Sequence, residues 1–434
     1  MLTNGNINMD VKVRVTRCMV SLGEFGYQIK DQLEQSGRVS AVDMNVLVHQ
    51  LHNIDDDEAD FIEDLITRFN MCQSSIPRND STSHAIVRGF LAKPRDGCSR
   101  LVRLLSQPLL YGLFPNHYSL NLLLDKLIKS KDYSGAARVA YHSMLQEDMG
   151  SHPVHALLCL RAAVHRLLQG PIAELAYPVP EKAENEEEDW IKVKYIKFPV
   201  YDDHFDIKDE RFLLGKTLHM LAQVQTVNIP ENICTSISVI GSGLHHKFRR
   251  GLADIQNIFS SPSGLIALQA LDFFSYSLEN VEARDPNEPE VEIALRTVDD
   301  VIHRLLPTTV EKSELQEEFG KLKEQLLSQG KIIEDFDLSV VVSEFVESKL
   351  SGFEAKDVDD QLKLFHIWQE ERKAELSRQV EEINKNERIE EMKKQVKELQ
   401  EQEELLSYFD FEEKIRLTLV DDDLAKDENL TIAK

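Results

Sequence analysis

The sequence predicts an all-α fold: an α-solenoid of helical hairpins, a second helical region, and a long C-terminal helix or coiled coil. Three observations predict it. The 434 residues hold only 18 Gly and 14 Pro. Leu, Glu, Lys, Ala and Gln dominate long windows, and strand-like alternation is scarce. The punctuation Gly-x-x-Pro occurs at Gly112/Pro115 and again at Gly150/Pro153, with a helix–turn–helix pattern between. From Val358 to Leu406 there is neither Gly nor Pro, and charge is dense.

Residues 24–72 read as two helices, the first lined by Phe25, Ile29 and Leu33, the second by Phe61, Leu65, Ile66 and Phe69. The acidic run Asp55–Glu58 resembles a calcium loop only superficially. It lacks the central Gly and spaced Glu of an EF-hand, so acids at a helix N-terminus explain it better. Residues 83–117 form a hairpin: Ile86, Val87 and Phe90 mark one helix, and Leu101, Val102, Leu104 and Leu105 the other.

The clearest unit is 118–152. Gly112 suits a helix end, because it adopts the left-handed conformation without steric penalty. Pro115-Asn116 turns the chain. Leu120, Leu123, Leu124, Leu127 and Ile128 then fall on one helical face. Asp132 or Ser134 can cap the second helix, where Ala136, Ala137, Val139, Ala140 and Met144 supply small and apolar contacts. Residues 153–169 begin another unit, stopped at Gly170-Pro171.

This places the hairpins in residues 1–176. Residues 177–204 break the pattern: Glu184–Asp189 reads as a solvated acidic loop, and Ile191–Phe198 alternates like a strand or extended arm. Helices resume near Asp209 in a second region, 205–350, with interruptions expected at Gly241–Gly243 and Pro286–Pro289. Residues 351–410 make the long charged helix, with Leu376, Val380 and Ile383 in one seam and Ile389, Met392, Val396, Leu399 and Leu406 in another slightly out of phase. Either a coiled coil with a phase slip or a single helix kept in solution by i,i+4 Glu/Lys pairs fits. Residues 411–434 read as an acidic, disordered tail.

Composition narrows the function. Five scattered cysteines with no Cys-x-x-Cys pair suggest neither disulfides nor zinc, and fit a reducing compartment. No run of eighteen apolar residues occurs, so no membrane span is expected. Lys12, Arg14 and Arg17 lie in an acid-free stretch, Val11–Gly23, but Asp10 and weak amphipathicity make it a poor transit peptide. Gly215-Lys216-Thr217 imitates the end of a nucleotide-binding loop, yet the position needing Gly is Glu210, and Phe212, Leu213, Leu214, Leu218 and Leu221 set it in an amphipathic helix. No nucleophile elbow is present, and His245-His246 lacks partners at metal-ligand spacing. The sequence offers no enzyme, no cofactor and no small-molecule substrate.

The net charge of −25 argues against a free nucleic-acid-binding protein. Cations nevertheless cluster, and they are the candidate RNA contacts: Arg88, Lys93, Arg95, Arg100 and Arg103; Lys129 and Lys131; and His245, His246, Lys247, Arg249 and Arg250. Such clusters need either RNA phosphate or neighbouring acids.

The hairpin period is close to the ~34 residues of tetratricopeptide arrays, whose Trp, Leu-Gly and Tyr signature is absent. Its signature residues (Gly112, Pro115, Asn116, Asn121, Ala137, Met144, Gly150 and Pro153) follow an order that resembles the pentatricopeptide repeat instead. Gly112–Glu147, with a second patch at Gly330-Lys331-Ile332, Leu338-Ser339, Lys349-Leu350, Glu354-Ala355, Gln361-Leu362 and Trp368, resembles the pentatricopeptide-type proteins of the small subunit of animal mitochondrial ribosomes. The resemblance implies a non-catalytic helical protein in the mitochondrial matrix, contacting small-subunit ribosomal RNA and other mitochondrial ribosomal proteins. It also implies hairpins that pack as a scaffold. Base-reading repeats carry a polar residue after the signature Asn, where this chain has Leu122, and an Asn or Asp before the next Pro, where it has His152. The alternatives are a free organellar RNA-binding translation factor, and a coiled-coil assembly adaptor without RNA.

Overall fold

A computed structural model describes residues 22–53, 59–72, 80–93, 96–170, 209–261, 264–287, 305–334 and 336–412, with the isolated residues 207, 303, 414 and 416. Arg95, the acidic run at 55–58, the 177–204 arm and all but the first residues of the 411–434 tail lie outside the described residues. The chain divides into two units, Met1–Phe365 and His366–Lys434.

In the first unit the sequence folds as helices in this order: α1 Leu22–Ser36, α2 Ala41–His49, α3 Ala59–Met71, α4 Asp80–Leu91, α5 Gly97–Ser106, α6 Pro108–Tyr111, α7 His117–Lys129, α8 Tyr133–Leu145 and α9 Pro153–Leu168. There follow α10 Glu210–Ala222, α11 Glu231–Leu244, α12 Phe248–Ser260, α13 Leu268–Asn280, α14 Thr309–Ser328 and α15 Leu338–Asp410. The strands among the described residues are β1 Ile266–Ala267 and β2 Ile332–Ile333, paired in parallel. The all-α expectation holds.

Where residues 24–72 read as two helices, three form. The missed one, α2, is capped by Ser40, whose hydroxyl accepts from the Val42 and Asp43 amides. Met44, Asn45, Leu47 and Val48 are buried, but the outer side carries Val42 and the exposed Val46, so no polar stripe marks the helix for a periodicity reading.

The link Ser130–Asp132 joins α7 and α8, which pack on each other. Asn116 caps α7 by accepting from Ser119 N at 3.1 Å, and Asp132, not Ser134, caps α8 by accepting from Gly135 N at 2.9 Å. Gly112 has φ +58°, the left-handed conformation its position demanded. The same neighbour pattern recurs: α4 packs on α5, α7 on α8 and α9 on α10. The first helices α2, α4, α7 and α9 adjoin in sequence order, as do the second helices α5, α8 and α10.

The break expected around Gly241–Gly243 comes just after the glycines, at His245–Lys247. α11 runs through both glycines to Leu244, because they face neighbouring helices. A Cβ on Gly241 would meet the Gly215 carbonyl oxygen at 2.7 Å and the His219 amide at 2.8 Å, and one on Gly215 would meet the His245 amide at 2.6 Å. Facing glycines let the α10 and α11 backbones touch. The nucleotide-loop lookalike is thereby explained: Gly215 is a packing glycine, and the buried Thr217 hydroxyl donates to Leu213 O at 2.7 Å.

α15 enters the core through Leu338, Val342 and Val346, all essentially buried. The second unit takes over within this helix at His366. In that unit Leu376, Val380, Ile383, Met392, Val396 and Leu399 are exposed.

Candidate nucleic-acid interface

Polar side chains between successive hairpins decide what the signature residues do. Between α2 and α4, the Asn45 amide donates to Ser81 Oγ at 3.0 Å and Thr82 Oγ1 at 2.7 Å. Between α4 and α7, His84 Nδ1 lies 2.9 Å from Ser119 Oγ. Between α7 and α9, His155 Nδ1 lies 2.7 Å from Asn121 Oδ1, and its Nε2 lies 2.8 Å from Ser143 Oγ of α8. These ties are buried, and their partners stand 36 or 37, then 35, then 34 residues apart. One polar tie per repeat length therefore joins each first helix to the next.

Asn121, the signature asparagine, is thus turned inward at 1% exposure and spent on His155. Burial pushes the imidazoles of His84 and His155 down to about 3 and that of His142 to about 4. Each is a neutral packing and hydrogen-bonding group at neutral pH. The remaining signature residues are structural in the same sense: Ala137 and Met144 are fully buried in α8, Pro153 opens α9 and Gly150 lies in the preceding turn.

The candidate cations scatter. Arg100 of α5 reaches back to Asp60 and to Glu63 Oε1 of α3, the latter at 2.9 Å, and Arg103 pairs with the other oxygen of Glu63. Lys129 pairs with Asp125 at 2.5 Å, one turn earlier in α7. Arg249 meets Glu311 of α14 at 2.9 Å. Lys93 is buried, as is His245, which stands edge-on to Phe212 with ring centroids 4.3 Å apart. His246 and Lys247 are half-buried in the turn before α12. Arg88 of α4, Lys131 after α7 and Arg250 of α12 are exposed and carry no ion pair among the described residues. Sequence reasoning could not separate these three from the others, because the acids that neutralise Arg100 and Arg103 lie on a preceding helix.

Among the described residues no group of three or more His, Cys, Asp or Glu could hold a metal, and no described helix is long and apolar enough to cross a membrane. Cys72, Cys98, Cys159 and Cys234 are free thiols.

A family model described as mitochondrial 28S ribosomal protein S27 matches residues 12–398. The chain belongs to that family. It is therefore a mitochondrial ribosomal small-subunit protein, of a family class that is generally non-enzymatic, and other ribosomal components are its partners. The match spans the hairpins, the second helical region and most of α15, so the S27 assignment covers both units. No curated protein matches the chain.

Proposed function

We propose that this protein is a structural component of the small subunit in the mitochondrial matrix, a solenoid of pentatricopeptide-like hairpins that braces ribosomal RNA and neighbouring proteins and reads no base. The observation that carries this reading is the inward use of Asn121 on His155. A repeat that reads bases directs its polar side chains at the strand, whereas these join one hairpin to the next. RNA contact falls to a few phosphate-binding cations, Arg88, Lys131 and Arg250, which suits a chain of net charge −25 inside an assembly. Protein contact falls to the exposed apolar residues Leu376–Leu399 of α15.

The test is sedimentation. Tagged full-length protein from mitochondrial lysate should travel with small subunits. Replacing Arg88, Lys131 and Arg250 together with Ala should shift it toward ribosome-free fractions as salt is raised, since each phosphate contact contributes to the salt slope. Wild-type protein found only in ribosome-free fractions refutes the role. Full retention of the triple variant at all salt concentrations removes these three as the RNA contacts.

A further inference from the structure

The first part of α15 lies on the face that the hairpins would offer to RNA. Starting where its core anchors end, Ser343 Oγ is 2.8 Å from His165 Nε2 near the end of α9. One turn on, Glu347 Oε1 is 3.1 Å from Arg161 Nη1. Asp357 Oδ1 is 3.2 Å from Nδ1 of His152, the residue that precedes α9. Phe365 then meets His84 of α4, ring centroids 5.5 Å apart. The segment therefore runs antiparallel to α9, from its last turn to its first, and continues past the start of α7 to the first turns of α4.

The side chains it meets at those starts are polar or aromatic. His152 stacks on His117 of α7 at 3.9 Å and takes Tyr118 edge-on at 5.3 Å. His117 also has Asp148 Oδ2 at 3.9 Å. The Tyr118 phenol is pushed up to about 12, first by burial and then by the charges of Asp357 and Asp360. Two carboxylates thus stand beside the N-terminal ends of α7 and α9, where the helix dipole and unpaired amides favour negative charge. A phosphate backbone crossing a stack of first helices would put its charge at the same ends.

Asp357 is the unexpected member. It is 6% exposed within the seam Val342, Val346, Leu350, Phe353, whose other members are apolar and packed on the core. It sits within ion-pair reach of His152 but outside hydrogen-bond geometry. A buried acid in an apolar seam costs stability, and it fixes register, because only one alignment gives it an imidazole partner.

We propose that residues 338–365 are a built-in occupant of the first-helix face, holding acidic side chains where repeat proteins of this kind hold RNA phosphates, so that the ribosome meets this protein on other surfaces. The inference rests on the reading of the hairpins as pentatricopeptide-like. It explains why Leu122 and the inward Asn121 carry no penalty, since no base reaches them.

The test uses the full chain with two cysteine pairs, made separately: H152C/D357C, and R161C/E347C as an independent lock should the first variant fold poorly. A short bis-methanethiosulfonate reagent joins each pair, peptide mass spectrometry identifies the bridge against the native thiols, and reductant releases it. Bridged and released proteins are then titrated onto small subunits isolated from mitochondria depleted of the protein. Efficient bridging at both sites is expected, with affinity for subunits changed by less than about twofold. Absence of bridging at both sites overturns the placement of the helix. A loss of about tenfold or more in the bridged protein, recovered on release, overturns the closed face and shows that a ribosomal ligand enters it. Failure of the unsubstituted chain to bind subunits refutes the ribosomal scaffold instead, and the bridging result still decides where the helix lies.

Discussion

Replacing Glu210 with Ala tests the joint between the hairpins most severely. Arg166 near the end of α9 donates from Nε and Nη2 to the two carboxylate oxygens of Glu210 at the start of α10, each at 2.9 Å. Tyr141 of α8 donates its hydroxyl to Oε1 at 3.4 Å. The two charged side chains are only 10% and 4% exposed. Deleting the acid strands a guanidinium in the interior and leaves the Tyr141 hydroxyl without its acceptor. Breaking a buried pair from one side costs about 3–5 kcal/mol. With an m-value of about 3 kcal/mol/M in urea, the midpoint should fall by more than ~1 M. The companion variant, Arg166→Met with Glu210→Leu, replaces both charges with apolar groups of similar length and should recover all but ~1 kcal/mol. Urea unfolding of the full chain followed by far-UV circular dichroism at constant pH gives both numbers. A loss under about 1 kcal/mol for Glu210→Ala, or a double variant as unstable as the single one, would sink the account of this pair as a desolvated joint.

Acidification should weaken the first unit before its carboxylates titrate. His84, His155 and His142 have folded values of about 3, 3 and 4, below the ordinary 6.5, so the unfolded chain takes up protons first and stability falls as pH drops below 6.5. At pH 5 each contributes a loss of about 2 kcal/mol, and thermal melts between pH 7.5 and 5 that show no decline would contradict their burial. Gly215→Ala and Gly241→Ala should each lower the melting temperature, because the new methyl would meet backbone atoms under 3.0 Å away. Gly320→Ala in α14, where nothing lies within 4 Å, should raise stability by up to ~1 kcal/mol, and a reversed order in differential scanning fluorimetry would refute the packing argument.

The α7–α8 hairpin was legible because its punctuation is local. Gly112 must be left-handed, Asn116 and Asp132 cap, and the leucines fall at helical spacing. What stayed hidden was set by distant partners. α2 carries Asn45 on a face that burial closes, and the sequence does not show that Ser81 and Thr82 receive it. Gly241 and Gly243 look like the break itself, which comes just after them, until Gly215 is seen opposite. Arg100 and Arg103 read as an RNA patch because Asp60 and Glu63, which neutralise them, come 37 to 40 residues earlier. The joining side chains differ at every level of the stack, amide to hydroxyls, then imidazole to hydroxyl, then amide to imidazole, so no repeated motif betrays them.

That variety makes the stack an ordered set. A hairpin whose leading helix offers Asn45 matches only a follower bearing hydroxyls at Ser81 and Thr82, and one offering Asn121 matches only a follower bearing His155. Duplicating, deleting or shuffling a module would put unlike groups face to face in a dry seam. Length can be altered in the links between modules, but their sequence order is written into the seams themselves.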